Sequence, residues 1–516
     1  MDVGTAAWVS LIVGVIVLAA IAGVRVADRF GLPGLLFYLI LGLLLGSDGP
    51  GGIPFDDAQL ATVLGWAALV VILAEGGLTT RPATVRPVLA PALVLASVGV
   101  AISIAVVALP LHWLAGVDMG TAILIGAVLA PTDAAAVFTV ARRLHLPPRL
   151  QTVLEAESGF NDAPVVVLVV LLTTGTAQDW PWWLVAVVVV AELVGGVLVG
   201  GAMGLFARWM LPRLALPAAG LYPVAVIALF MLTYGLAVVL HTSGFAAVYL
   251  LALILAASPL PHRRAVLGFV EGLAWTVQIG LFVMLGLLAF PSRLGDAVGL
   301  ALIAGVVLLV LARPLSVLVS LAPFTWANWL TQRTGTTPMP WRWVGFTSWA
   351  GLRGAVPIIF ATIPLGAGDP DGELIFDVTL LLVIVLTLVQ APTMGRFASG
   401  LGLSQPDRAA ELTVEAAPLD TLRAALLDLD VGPGSRLAGT YVGELPLPRG
   451  AVVSLVVRGG HSLAPDRATR IRVGDRLLVV TTESSRAATE QALRSVSRSG
   501  RLADWAGGGV GDDEPR

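Results

Sequence analysis

The chain has 516 residues, 57% of them hydrophobic and 13% charged, with a formal net charge of −3. An ordinary soluble domain carries about 25% charged residues, so a single water-soluble globule is excluded. There is no cysteine, which rules out a disulfide framework or a thiolate metal site, and all 31 basic residues are arginine, a bias that suggests a GC-rich bacterial genome.

From residue 6 to about 400 the apolar residues fall into runs separated by short segments with Arg, Pro, Gly and Asp. A run of about 20 apolar residues crosses a bilayer as a helix with every backbone group satisfied internally. The candidate spans are 6–24, 33–46, 59–79, 88–114, 119–141, 150–174, 182–207, 220–240, 244–258, 266–290, 297–321, 342–364 and 374–395. Only Asp2 precedes the first run, and no basic residue does, so that run is expected to be a retained helix rather than a signal peptide.

Alternate loops carry Arg25 and Arg29; Arg81 and Arg86; Arg142, Arg143 and Arg149; Arg208 and Arg213; Arg263 and Arg264; Arg333 and Arg342; and Arg396. The intervening loops are acidic or neutral, apart from Arg293 beside Asp296. The positive-inside rule then predicts an inner-membrane protein with its N-terminus outside and its C-terminal segment in the cytoplasm. Spans two and nine are short and alike: Gly34 to Tyr38 opens one and Gly244 to Tyr249 opens the other. One starts on the cytoplasmic side and the other on the outer side. Two inverted six-helix repeats are therefore expected, spans 1–6 against 8–13, with span 7 connecting them.

Charged groups at bilayer depth are costly unless paired or wet, so each is a functional candidate. Span six carries Glu155, Glu157, Ser158, Asn161 and Asp162. With a helical rise of about 1.5 Å per residue, Asp162 lies roughly 20 Å beyond Arg149, near the midplane. Ser158 and Asp162 share one face, and Glu157 and Asn161 share the next. A carboxylate, an amide oxygen and a hydroxyl in a partly dry site suit a dehydrated monovalent cation, and desolvation favours the protonated acid, so one carboxylate could exchange both. A polar patch gluing helices together would explain Ser158 or Asn161, but not Asp162.

Span five is interrupted at Ala130-Pro131-Thr132-Asp133, where proline removes a backbone hydrogen bond. A broken helix frees carbonyls and half-helix ends; Thr132 could offer a ligand oxygen and Asp133 could offset a positive end. The counterpart break in span twelve is Gly351-Leu352-Arg353-Gly354, and Arg353 needs an acidic partner. Glu157 is the expected partner, with Glu155, Asp133 and Glu75 as alternatives. Glu75, near the cytoplasmic end of span three, reads equally as a second cation ligand or an interfacial acid. Glu192 and Glu271 are single acids without a surrounding motif and read as interfacial or locally paired.

At 130–138, 157–162 and 351–357 the chain resembles the NhaP-type monovalent cation:proton antiporters, with three motifs in that family's order. The resemblance implies an all-α polytopic NhaA-like fold with discontinuous helices 5 and 12 crossing. It also implies an elevator-like transport domain, a homodimer, and Asp162 binding cation and proton alternately beside Ser158 and Thr132. It supports the Glu157–Arg353 pair. Asn161 replaces the second acid of electrogenic relatives, which implies electroneutral exchange. Thr132 to Phe138 and the Glu75-Gly76-Gly77 stretch look like the potassium/proton branch, with sodium (or lithium)/proton exchange as the alternative.

After an expected linker at 401–416, β-like alternation appears at 451–457 and 476–480, with a turn at Gly474-Asp475. The segment 417–495 resembles the TrkA-C module of RCK potassium-transport regulators, a small α+β domain. A nucleotide or second messenger is a candidate ligand for a dimer of such modules, and 496–516 is expected to be disordered. Rival functions are a potassium channel subunit, which lacks filter loops here, a neutral-solute symporter, and a membrane enzyme, for which no zinc-protease or serine-hydrolase motif is present. Nothing suggests a cofactor or nucleic acid.

Overall fold

The apolar runs fold as helices, the only open-chain way to hide a backbone in hydrocarbon. The computed structural model describes residues 7, 10, 11, 14–23, 34–80, 82–133, 144, 146–176, 180–326, 338–403, 414–419, 424–482 and 484–499. The chain divides into two compact units, Met1–Ser404 and Gln405–Arg516.

Among the described residues of the first unit, eight helices are long and apolar enough to cross a membrane. They are α3 (Ala58–Thr79), α4 (Arg86–Ala115), α6 (Pro148–Thr173), α7 (Trp182–Arg213), α8 (Leu221–Val239), α10 (Arg263–Leu287), α11 (Leu294–Thr325) and α14 (Gly372–Gly400). Five shorter apolar helices join them: α1 (Gly14–Gly23), α2 (Gly34–Leu45), α5 (Met119–Leu129), α9 (Gly244–Ala256) and α13 (Ala355–Ala367). A further short helix, α12 (Trp341–Trp349), precedes α13. Each expected span contains at least part of one of these helices, and span twelve is divided between α12 and α13. Arg25, Arg29, Arg81, Arg142, Arg143, Arg333 and the second half of span five lie outside the described residues.

The packing repeats itself with the order reversed. Helix α2 lies on α10 with backbones nearly touching, because a Cβ on Gly42 would strike the Val283 carbonyl and one on Gly286 the Leu39 carbonyl. Helix α9 packs on α3, where a Cβ on Gly77 would meet the Ala252 side chain at 2.5 Å. For inverted repeats these are the same contact made twice. Helices α4 and α11 also correspond, and each contains a π-helical turn, Leu95–Gly99 in one and Leu308–Ala312 in the other. Such turns re-aim the side chains that follow them; the residue after the second is Arg313.

The second unit is a five-stranded antiparallel sheet of β1 (Val414–Leu419), β2 (Ala424–Asp430), β3 (Val452–Arg458), β4 (His461–Leu463) and β5 (Arg476–Thr482), in the order β1-β2-β5-β3-β4. Helix α15 (Arg486–Ser499) adds Leu493 and Val496 to a core of Leu427, Val456, Leu477 and Val479. Two expected boundaries move. β1 begins inside the segment expected as linker, because its pairing with β2 continues the sheet, and α15 runs four residues past 495. Residues 500–516 lie outside the described residues.

Asp475 follows Gly474, whose φ of +83° is easy only for glycine, and its carboxylate is wholly buried. It accepts 2.7 Å bonds from Nε and Nη2 of Arg458 and a 2.8 Å bond from the Arg472 amide. Burial works to raise this carboxyl, but the Arg458 and Arg472 donors outweigh it and hold it below the usual carboxylate range. Its stabilisation is therefore present above about pH 4 and is lost as pH falls through the depressed folded-state value. Asp475→Asn is expected to destabilise the sheet by about 2 kcal/mol at neutral pH and by much less near pH 3, read as faster amide exchange in β3 and β5 of the full chain.

Candidate functional site

Helix α5 ends at Leu129 because Pro131 cannot continue it, and residues 131–133 run on without helical structure. Helix α12 ends at Trp349, and residues 350–354 form the matching break before α13. The two breaks cross and cap each other. Asp133 Oδ2 accepts the Ala355 amide at 3.0 Å at the start of α13, and the Asp133 amide donates to the Leu352 carbonyl at 3.0 Å. In return, Arg353 Nε donates to the carbonyl of Leu129, the last residue of α5, at 2.9 Å, and Nη1 to the Gly351 carbonyl at 2.6 Å. Each charge thus sits on the half-helix end of opposite sign. Gly354 has to lack a side chain, since a Cβ there would overlap the Asp133 carboxylate. From α14, Thr387 Oγ1 and Gln390 Nε2 donate to the carbonyls of Arg353 and Trp349, each at 3.0 Å.

The expected Glu157–Arg353 ion pair is not the one formed. Glu157 is held bidentately by Arg313 of α11, through Nη1 to Oε1 and through Nη2 to Oε2 at 3.0 Å; Nη2 also reaches the Thr347 carbonyl at 3.3 Å. The π-helical turn before Arg313 aims it at α6, whereas Arg353 is committed to backbone carbonyls. Gly351 leaves room for both guanidinium groups. Arg313 was legible only as a lone charge inside span 297–321, with no motif to mark it.

Beside this framework lie the other deep residues of α6. Thr132 Oγ1 is 2.8 Å from Ser158 Oγ and accepts a 3.0 Å bond from Asn161 Nδ2. That geometry turns Asn161 Oδ1 away from Thr132; among the described residues it is buried without a hydrogen-bond partner, as is Asp162 Oδ1. Thr132, Ser158, Asn161 and Asp162 are each no more than 5% exposed. An orphaned carboxylate oxygen in a cavity that Ser158 also lines suits a hard monovalent cation, which would satisfy it. Asp162, Asp133, Ser158, Glu155 and Glu75 line one cavity of about 200 Å³ that continues past Thr79 and Thr80 of α3. Sequence reasoning did not single out Tyr249, which also lines this cavity. Its ring stands edge-on to Phe160 at 5.4 Å and fills the space left by Gly159. Among the described residues no cluster of His, Cys, Asp and Glu is arranged to hold a metal ion.

Crossed broken helices, each capped by a charge on the other, beside a deep carboxylate with an unpaired oxygen, define a secondary cation/proton exchanger. The sodium/hydrogen exchanger transmembrane family model matches residues 16–400, and the TrkA-C domain model matches 426–494; the chain belongs to the sodium/hydrogen exchanger family. The chain is 35% identical to the K(+)/H(+) antiporter NhaP of Alkalimonas amylolytica, over 91% of this chain and 80% of that protein. It is 36% identical to NhaP2 of Shewanella oneidensis, over 89% and 78%. The sodium proton antiporter MjNhaP1 of Methanocaldococcus jannaschii shares the fold, with a TM-score of 0.63 at 20% identity over 75% of this chain and 97% of that one.

Removing one partner of a buried pair strands the other charge, at about 3–5 kcal/mol, whereas replacing both with apolar residues is often close to neutral. Arg313→Met is therefore expected to destabilise the detergent-extracted protein by that amount, and Glu157→Leu with Arg313→Met to recover most of it in thermal-unfolding assays.

Proposed function

We propose that this chain exchanges K⁺ for H⁺ one for one across the bacterial inner membrane, with Asp162 binding the two in turn. The observation that carries this reading is the buried Asp162 Oδ1, without a partner among the described residues, in a cavity it shares with Ser158, whose hydroxyl lies 2.8 Å from Thr132 Oγ1. Two of the neighbouring acids have fixed counterparts, Asp133 at the α13 end and Glu157 at Arg313. Among the described residues Asp162 has no such counter-charge in direct contact, so cation and proton are alternative ways to neutralise it. One carboxylate exchanging one for the other leaves no net charge to move, and Asn161 in place of a second acid agrees.

Potassium is favoured over sodium by the K(+)/H(+) antiporters among the relatives and by the TrkA-C module. Glu75 then acts as a further oxygen ligand in the same cavity. The N-terminus lies outside and the C-terminal unit in the cytoplasm, where a dimer of these units binds a nucleotide or other small regulator. The working form is a homodimer embedded in lipid and performs no covalent chemistry; no nucleic acid takes part.

In everted membrane vesicles carrying a preformed ΔpH, K⁺ is expected to dissipate the gradient and Asp162→Asn to abolish the response while the protein stays monodisperse. Failure of K⁺, Na⁺ and Li⁺ alike would end the antiporter reading. A response to Na⁺ or Li⁺ alone would assign the alternative cation.

Alternating access requires the other end of the site to be shut while this cavity is open. The N-terminal half of α3 supports that: Thr62 Oγ1 lies 2.9 Å from Thr362 Oγ1 of α13, and Gln59 Nε2 donates to the Gly366 carbonyl at 3.2 Å. Because the chain has no cysteine, a Thr62→Cys, Thr362→Cys variant offers a single cross-link. Oxidation is expected to stop exchange and reductant to restore it; full activity of the cross-linked protein would show that this contact need not open.

A further inference from the structure

Glu192, an isolated acid by sequence, lies in a second cavity of about 250 Å³, bounded also by Trp66 of α3, Val166 and Leu171 of α6, Tyr234 of α8 and His241 in the α8–α9 turn. Three helices line both cavities in matching order. Along α3 the second cavity takes Trp66 and the first takes positions 69–80; along α6 they take 166–171 and 155–162; along α9, 244–245 and 249. The two spaces therefore lie end to end, and Val166 is one helical turn, about 6 Å, beyond Asp162.

The second cavity is not a simple packing gap, because polar groups converge on it. The Trp66 indole N–H is buried with no hydrogen-bond partner among the described residues. Glu192 and His241 both line it, from α7 and from the α8–α9 turn. Among the described residues the other titratable group lining the cavity is Tyr234; α3 and α6 add only Trp66 and aliphatic side chains. The turn is tied down along its backbone. His241 has a φ of +53°, in the left-handed region, where non-glycine residues are uncommon and mark functional constraint more often than chance would. The next residues are tied down, Thr242 N to the Ala237 carbonyl at 2.9 Å and Ser243 N to the Glu192 backbone carbonyl at 3.0 Å. Gly195 and Gly196 provide the space that Thr242 and Ser243 occupy.

We propose that Glu192 and His241 form a second proton-binding station, which takes up a proton in their shared cavity at the far mouth of the path to Asp162. The proposal rests on the reading of Asp162 as the exchange site. A proton arriving from that side loads the pair from water and passes on, and one released by Asp162 leaves by the same route. No other reactant is consumed.

The test is the pH profile of K⁺-driven proton flux, measured on the full chain in vesicles at saturating K⁺. Glu192→Gln removes the charge that favours a bound proton, so the pH of half-maximal exchange is expected to move toward acid by about one unit. His241→Asn keeps a residue that tolerates the left-handed backbone and is expected to flatten the same limb of the profile. If the two residues act as one station, the double variant should shift no further than the larger single effect. Profiles superimposable on wild type in both variants would overturn the proposal. So would an unchanged profile with a raised KM for K⁺, which would make the cavity a cation vestibule. If Glu192→Gln fails to fold, His241→Asn on its exposed turn still decides the question. Asp162→Asn assayed in parallel separates the two readings: its continued activity would refute the exchange site, whereas its silence beside a wild-type profile for Glu192→Gln and His241→Asn would refute only the station.

Discussion

Two helices that stop in mid-membrane leave backbone groups that no water can satisfy, each costing several kcal/mol in hydrocarbon. The structure depends on how these ends are answered. Asp133 serves the N-terminal end of α13, and Arg353 serves the C-terminal end of α5. Because each charge comes from the opposite break, neither helix can be interrupted without the other, and the crossing is a single unit rather than two kinks. The same reciprocity explains why Gly354 admits no side chain. It also gives two of the deepest charges in the chain, Asp133 and Arg353, their contacts in this structure.

Once Asp133, Arg353, Glu157 and Arg313 are committed to one another or to the backbone, the chemistry that remains is sharply limited. Asp162 keeps a buried oxygen without a partner, and Thr132 is shared between Ser158 and Asn161 in a way that leaves the Asn161 oxygen equally bare. With Asp133 held at the α13 end and Glu157 at Arg313, Asp162 is the deep carboxylate left with an unpartnered oxygen among the described residues. Glu75 and Tyr249 border that carboxylate's cavity from helices outside the crossing, so the site is shared between the broken helices and the helices they pack against.

Much of this was legible before any coordinates. The apolar runs gave the helices, Pro131 and the Gly351–Gly354 segment gave the breaks, and the likeness of the two short spans gave the inverted repeat that the α2–α10 and α9–α3 contacts display. What stayed hidden was pairing at long range. Glu157 lies 156 positions from Arg313, and the choice between Arg313 and Arg353 turns on a π-helical turn whose sequence, Leu308 to Ala312, is indistinguishable from ordinary apolar helix. Glu192 was dismissed for want of neighbours in sequence; its neighbours come from α3, α8 and a turn nearly 50 positions away. The edge strand β1 lay in a segment without strong alternation, and only its pairing with β2 makes it a strand.

Helix α3 ties these parts together, because its two halves do different work. Its C-terminal half stands back from α6 and leaves the cavity that runs from Thr80 to Asp162, while its N-terminal half closes on α13 through Thr62 and Thr362. The closure is made of hydroxyls and carbonyls rather than ions. Thr62 Oγ1 has the Ala58 carbonyl at 2.8 Å, the Thr362 carbonyl at 3.0 Å and the Thr362 hydroxyl at 2.9 Å, although it has only one proton to donate. Separating the helices leaves Thr62 its bond within α3, and Thr362 keeps its own at 2.7 Å to the Ile359 carbonyl. The net cost of such a contact is then about 1 kcal/mol, far below that of parting a buried ion pair. A contact that separates at so low a cost differs in kind from the buried Glu157–Arg313 pair that joins α6 to α11.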